Sequence, residues 1–160
     1  MDSLRRGVWT TLATFFGFGY APVAPGTFGT IPGVLIWFLL FPYIGVFGHL
    51  ALCVALTALS VVAAGRAGPI FGEPDAGAIV IDEVAGVMWA FVLVPHGIGW
   101  ALAGFLVFRF FDIAKVWPAS YIDRRMKNGL GVTLDDVVAG AYACVVLNLA
   151  ALFLGLGLGI

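Results

Sequence analysis

The chain has 160 residues and a net charge of −1, with 62% hydrophobic and only 11% charged residues. Its mean hydropathy is +1.07. Soluble domains carry roughly 25% charged residues, so this composition excludes an ordinary soluble domain and indicates an integral membrane protein. The net charge argues against a nucleic-acid partner. We expect one domain over residues 1–160, and the composition does not decide its oligomeric state.

Three long stretches contain no charged residue, namely residues 7–65, 84–108 and 137–160. A helix needs about 20 apolar residues to cross the hydrocarbon core of a bilayer, and a lipid-exposed segment must satisfy its own backbone hydrogen bonds. We therefore predict an all-α fold. It should be an integral membrane helical bundle with about four to five membrane-embedded helices and a short N-terminal helix.

The first predicted elements alternate helices with proline and glycine. Residues 8–20 suit a short helix that does not cross the membrane. Residues 21–33, APVAPGTFGTIPG, contain three prolines and three glycines and are predicted to form a loop or a re-entrant turn. Residues 34–41 and 44–64 follow as a hairpin that turns near Pro42, or as one long broken helix.

The second half of the chain is predicted to form a further hairpin and a last span. Its elements follow in this order: a loop over 65–77, a helix over 78–94, a break at 95–97, a helix over 98–116, a basic loop or short amphipathic helix over 117–132, and a helix over 134–156. The break and the basic loop both reverse the chain, so the polar ends of these three helices should lie on one side of the membrane.

The charged residues converge on that side. Acidic residues stand at the polar ends of the three predicted helices: Asp82 and Glu83, then Asp112, then Asp135 and Asp136. Basic residues share the same side: Arg5, Arg6, Arg66, Arg124, Arg125 and Lys127. By the tendency of basic residues to remain inside the cell, this face is predicted to be cytoplasmic.

Five carboxylates on one face predict a cation site. Like charges repel strongly where the dielectric constant is low, and ionisable groups within a membrane indicate function. A divalent cation relieves the repulsion, and oxygen ligands without His or Cys suit a hard ion such as Mg²⁺. The candidate metal ligands are Asp82, Glu83, Asp112, Asp135 and Asp136.

Basic and hydroxyl groups near these acids are candidates to contact a phosphate. Arg109 shares a helix face with Asp112, and Lys115 follows three residues later. The guanidinium group of arginine matches phosphate oxygens, and the hydroxyl of Thr27 stands in a glycine-rich stretch with free backbone N–H groups. Simpler interpretations stay open, because Asp135 could cap its helix and Arg109 could form a purely structural ion pair with Asp112.

Four blocks of the sequence resemble the signature blocks of the phosphatidylglycerophosphatase A family, in the same order and over nearly the whole chain. They are APGTFGT (24–30), IVIDEVAG (79–86), FRFFDIAKVWPASYIDRR (108–125) and GLGVTLDDVVAG (129–140). Two positions depart from the family pattern: Val116 replaces a common proline and Thr133 a common methionine. Neither departure removes an ionisable group.

The resemblance implies a bacterial lipid phosphatase that spans the inner membrane several times, with its active site on the cytoplasmic side. It would remove the terminal phosphate from phosphatidylglycerol phosphate, would require Mg²⁺, and would yield phosphatidylglycerol. At the matching positions the resemblance implies catalytic roles for Asp82, Glu83, Asp112 and Asp136, metal binding by these acids and Asp135, and substrate binding by Thr27, Arg109, Lys115 and Arg124.

Two mechanisms and two other functions remain open at this level. Water could attack directly with Asp82 or Glu83 as the base, or an aspartyl phosphate could form first. A divalent-cation transporter would instead need charge along a path through the bilayer. A non-catalytic lipid-binding subunit would need the basic residues but not all five acids.

Overall fold

A computed structural model describes residues 3–157, and within that range the chain is all helical, as predicted, with no β-strand. A single turn of 3₁₀ helix over Phe18–Tyr20 follows the first helix. The α-helices are α1 (Ser3–Ala13), α2 (Pro25–Phe71), α3 (Ile81–Ala90), α4 (Ile98–Ala114), α5 (Ala119–Arg125) and α6 (Gly129–Phe153).

Helix α2 consists of two arms that meet at Gly45, where φ is 60° and ψ is −170°. Gly33 on the first arm packs against Val84, and His49 on the second arm contacts the carbonyl of Met88. A straight helix would separate Gly33 from His49 by about 24 Å, whereas their partners are only four residues apart on α3. The chain therefore reverses at Gly45, which agrees with the hairpin predicted near Pro42.

The predicted loop over 21–33 is wrong from residue 25 onwards, because α2 already begins at Pro25. A proline is tolerated in the first turn of a helix, where its missing N–H has no partner. The glycines of this segment serve close packing. A Cβ on Gly29 would collide with the side chain of Val80, and one on Gly33 would lie 2.8 Å from the carbonyl oxygen of Val84.

The other helix ends differ from the prediction by a few residues and have local causes. The second arm of α2 continues to Phe71, so the predicted loop over 65–77 begins only at Gly72, whose φ of 91° ends the helix. Helix α4 ends before Lys115, whose backbone also adopts the left-handed conformation. Helix α6 begins at Gly129, because the side chain of Asn128 accepts a hydrogen bond from the backbone of Gly131 at 2.9 Å.

Helix α3 is the centre of the bundle. It is shorter than predicted, and nearly all of its residues are buried between the two arms of α2 and helix α6. At the end of the bundle away from the charged residues, the indole of Trp37 stacks on Phe91 with ring centroids 4.0 Å apart. Helix α3 contacts all three long helices, α2, α4 and α6, so the residues at its start lie centrally at their end of the bundle.

Within residues 3–157, two helices, α2 and α6, are long and apolar enough to cross a membrane. Large apolar side chains also cover the outer surface of the bundle, including Phe47, Leu106 and Phe153 at 85%, 66% and 92% exposure. Such a surface fits a hydrocarbon environment. The number of four to five embedded helices stays a prediction.

Candidate functional site

Charged residues from distant parts of the chain line one cavity of about 280 Å³ at one end of the bundle. The start of α2 closes it through Ala24, Pro25 and Gly26. Its ionisable residues are Asp75, Asp82, Glu83, Arg109, Asp112, Lys115, Asp135 and Asp136. Six carboxylates thus face two basic side chains, which leaves a formal excess of four negative charges. The five acids predicted from the sequence to converge therefore line one cavity.

Three of the acids form a compact cluster that can hold a metal ion. One carboxylate oxygen from each of Asp82, Glu83 and Asp136 lies within 4.8 Å of the others. Asp82 and Asp136 are only 5% and 4% exposed. Within residues 3–157, Oδ1 of Asp82 and Oε2 of Glu83 are buried and have no hydrogen-bond partner. Buried, unpaired oxygens of like charge suit a hard cation, so the donor set fits one.

The other two predicted ligands are each paired with a base. Arg109 forms a charge-assisted hydrogen bond with Asp112 on the same face of α4, and its Nη1 lies 3.9 Å from Oε1 of Glu83. Lys115 donates to Asp135. Asp112 and Asp135 are therefore each paired with a base at hydrogen-bond distance, whereas in the cluster only Glu83 approaches a base, Arg109 at 3.9 Å.

Lys115 also joins the cavity to helix α5. Its Nζ lies 3.2 Å from Asp123, which Lys127 approaches at 3.4 Å. Partial burial disfavours the charged forms of both Asp123 and Lys115, but their charged neighbours outweigh it. Lys115 and Lys127 lower the pKa of Asp123, and Asp135 and Asp123 raise the pKa of Lys115. Both groups are therefore charged around neutral pH.

The close approach of α3 and α6 brings Asp136 to the cluster. A Cβ on Gly86 would lie 2.8 Å from both the Cβ and the carbonyl oxygen of Asp136. A Cβ on Gly140 would collide with the carbonyl oxygen of Gly86 in the same contact. Glycine at both positions lets the two backbones touch, as small residues do where helices pack closely in membranes.

The first turn of α2 borders the same cavity. A Cβ on Gly26 would overlap Oε1 of Glu83 and lie 3.1 Å from Nη1 of Arg109. The amino end of a helix carries a partial positive charge, so it favours an anion. Pro25 has no N–H, and the N–H of Thr27 donates to the carbonyl of Ala24. The anion that meets this helix end and Arg109 in the structure is the carboxylate of Glu83.

Two predicted substrate-binding residues lie outside the cavity lining. Thr27 is half-buried on α2, and Arg124 is exposed on α5. Asp75, which lines the cavity from the loop before α3, and Asp123 were not among the site residues predicted from the sequence. The only signal for Asp75 was its position in a polar loop that leads into IVIDEVAG.

Comparison with known proteins identifies relatives over most of the chain. The family model of phosphatidylglycerophosphatase A matches residues 11–151. A phosphatidylglycerophosphatase A of Haemophilus influenzae is 37% identical over 84% of this chain and 83% of its own length. Its namesake in Escherichia coli is 31% identical over 87% and 81%.

A Bacteroides thetaiotaomicron protein, provisionally named a phosphatidylinositol-3-phosphatase, is 34% identical over 90% of this chain and 94% of its own length. No solved structure matches the chain significantly. The matched residues run from the end of α1 into α6 and include every charged residue of the cavity. The chain belongs to the phosphatidylglycerophosphatase A family.

Proposed function

We propose that this protein is a Mg²⁺-dependent lipid phosphatase that hydrolyses the terminal phosphate of phosphatidylglycerol phosphate to phosphatidylglycerol. The observation that carries the proposal is the cavity that gathers the three acids of the cluster beside Arg109 and the amino end of α2, with one buried oxygen each of Asp82 and Glu83 lacking a hydrogen-bond partner in the described chain. The names of two relatives support this headgroup. The name of the third concerns another phosphorylated lipid, so the reaction class rests on more support than the headgroup does.

Asp82, Glu83 and Asp136 are the proposed metal ligands. A phosphate monoester is an anion and would be repelled by a cavity with a formal excess of four negative charges. When bound, a divalent cation offsets the charge of the phosphate and makes a nearby water a better nucleophile. We choose Mg²⁺ because every donor is an oxygen and because Mg²⁺ commonly binds a few carboxylates together with a substrate phosphate.

Arg109 and Lys115 are the proposed phosphate-binding residues, together with the first turn of α2. Nε of Arg109 is buried without a hydrogen-bond partner in the described chain, so this guanidinium has donor capacity left for a phosphate oxygen. Asp112 and Asp135 act as positioning residues, since each holds one of these cations in place. Of the five acids predicted as metal ligands, three therefore stay proposed ligands, and Asp112 and Asp135 become partners of the basic side chains.

The chemical step we propose is direct attack by water. A bond forms between the water oxygen and phosphorus while the bond from phosphorus to the glycerol oxygen breaks. Whichever of Asp82 and Glu83 keeps an oxygen free of the metal accepts the proton from the water. The same carboxyl group then gives this proton to the glycerol oxygen, which leaves as a hydroxyl, and Arg109 stabilises the charge on the phosphoryl oxygens.

The proposed location is the bacterial inner membrane, with several spans and the cavity on the cytoplasmic side. Residues 7–65, 84–108 and 137–160 carry no charge, so charge is confined to one end of the bundle. This distribution suits a substrate whose acyl chains stay in the bilayer while its phosphate enters from the interface. It disfavours a cation transporter, which needs polar groups along a path across the membrane.

Release of inorganic phosphate from a panel of lipids tests the proposal. Purified protein should release phosphate from phosphatidylglycerol phosphate faster than from phosphatidate or phosphatidylinositol 3-phosphate, and only when Mg²⁺ is present. Full activity in excess EDTA, or in the Asp82→Asn variant, would contradict the metal mechanism. Faster hydrolysis of another lipid would overturn the headgroup assignment and leave the mechanism standing.

A further inference from the structure

We propose that the outer side of α1 binds an anionic phospholipid of the bilayer at a second site, separate from the catalytic cavity. This inference rests on the membrane location proposed above. It follows from the charge of the surface around α1 and from the exposure of its apolar side chains.

Helix α1 presents apolar residues on two sides. Trp9, Leu12 and Ala13 pack inward against the end of α2 and the start of α3. Leu4 and Val8, one helical turn apart, point outward and are 79% and 48% exposed. The inward set explains how α1 is held to the bundle, but no part of the described chain covers the outward pair.

Two adjoining parts of the surface share Leu4 and Val8. The first is an open face of α1 that runs past Gly7, Thr11 and Leu12, and none of the described residues that line it is charged. The second is a groove of about 230 Å³ that contains Arg5 and Arg66. An apolar helix face that continues into a basic groove matches a phospholipid, with an acyl chain along the face and a phosphate in the groove.

The basic groove is positioned to receive an anion. The guanidinium of Arg66 lies over the ring of Trp9, 5.7 Å from its centroid, which orients the group. Neither Arg5 nor Arg66 forms a salt bridge with any residue in the range 3–157. Guanidinium groups pair with phosphate oxygens in a bidentate manner, so charge complementarity favours an anionic headgroup over a zwitterionic one.

None of the residues that line the basic groove lines the catalytic cavity. The two sites are nevertheless connected through the backbone. The carbonyl of Ala13, the last residue of α1, accepts a hydrogen bond of 2.9 Å from the N–H of Val80, two residues before Asp82. A lipid that holds α1 would therefore also hold the segment from which α3 and its acidic residues begin.

Native mass spectrometry of the purified protein in detergent, titrated with phosphatidylglycerol or phosphatidylcholine, tests the proposal. The comparison is between the natural protein and the double variant Arg5→Gln, Arg66→Gln, both in EDTA. The tightest phosphatidylglycerol adduct should weaken about fivefold for each arginine removed, as expected for a basic residue near an anionic surface. Binding of phosphatidylcholine should not change.

Arg125→Gln is the matched control, because it removes another arginine that lies over an aromatic ring, that of Tyr121 at 5.9 Å. It should leave the tightest adduct unaffected. A double Arg→Lys variant keeps the charge but loses the planar fork, so it should lose less affinity than the Gln variant, and this separates lost binding from damaged folding. Unchanged phosphatidylglycerol affinity in the Gln variant, or an equal loss in Arg125→Gln, would overturn the proposal.

Discussion

The substitution Gly86→Ala should separate α3 from α6 and disable the acidic cluster without removing any acid. The added Cβ would lie 2.8 Å from the carbonyl oxygen of Asp136, whereas ordinary contacts begin at 3.4 Å. The clashing atoms include backbone, so the helices must move apart by at least about 0.6 Å, because packed interiors have no free space. Overpacking of this kind costs about 1–3 kcal/mol of stability.

The same displacement should also lower the rate of phosphate release. A displacement of about 1 Å can lower a rate about 100-fold, so we expect phosphate release by Gly86→Ala to fall between about 10-fold and 100-fold. The Mg²⁺ concentration for half-maximal activity should rise as well, because Asp136 moves away from Asp82 and Glu83.

Phosphate release from phosphatidylglycerol phosphate in mixed micelles, at a series of Mg²⁺ concentrations, measures both quantities. Gly99→Ala is the matched control, since a Cβ there meets nothing within 4 Å. Alanine is also the better helix former, so this control should be neutral or slightly stabilising. Natural activity and unchanged Mg²⁺ dependence in Gly86→Ala would refute the reasoning that this contact positions the cluster.

Two further substitutions test the phosphate side of the cavity. Arg109→Lys keeps the charge but loses the planar fork of the guanidinium group, so KM should rise about tenfold or more, the equivalent of one charge-assisted hydrogen bond. The Mg²⁺ dependence should stay the same. Initial-rate kinetics measure both, and an unchanged KM would contradict the assignment of Arg109 to the phosphate. Gly26→Ala places a Cβ onto Glu83 and next to Arg109, so kcat/KM should fall at least about tenfold relative to Gly99→Ala. Equal kcat/KM values for the two alanine variants would mean that the first turn of α2 does not shape the site.

The convergence of the charges could be predicted from the sequence, because helix length and the placement of turns decide which helix ends share a side. Asp82, Asp112 and Asp136 each stand near the end of an uncharged run. Once the runs are assigned to helices, the geometry of two reversals brings these acids together. The acids also stand out because a hydrophobic chain carries so few charges.

The division of labour among the acids could not be predicted. Spacing in the sequence does not say that Lys115 reaches Asp135 across 20 residues, or that Asp136, its neighbour, turns to Asp82 instead. Those outcomes depend on the register between α3 and α6, which the contact at Gly86 sets. No short sequence pattern indicates the register between these two helices.

The start of α2 illustrates an ambiguity of glycine and proline. Between residues 21 and 33 these residues predicted a loop, because both weaken helices in water. In the bundle, Gly29 and Gly33 let α2 approach α3, and packing outweighs their poor intrinsic propensity. The sequence alone does not distinguish a glycine needed for a turn from one needed for close contact.

The most direct test of the central claim is a Mg²⁺ titration of phosphate release by the natural protein and by Asp136→Asn. Removing one of the three proposed ligands should raise the Mg²⁺ concentration for half-maximal activity at least about tenfold, whereas Asp123→Asn, outside the cluster, should leave it within about twofold. Activity that persists in excess EDTA, or the same Mg²⁺ dependence in Asp136→Asn as in the natural protein, would contradict a metal site built from Asp82, Glu83 and Asp136.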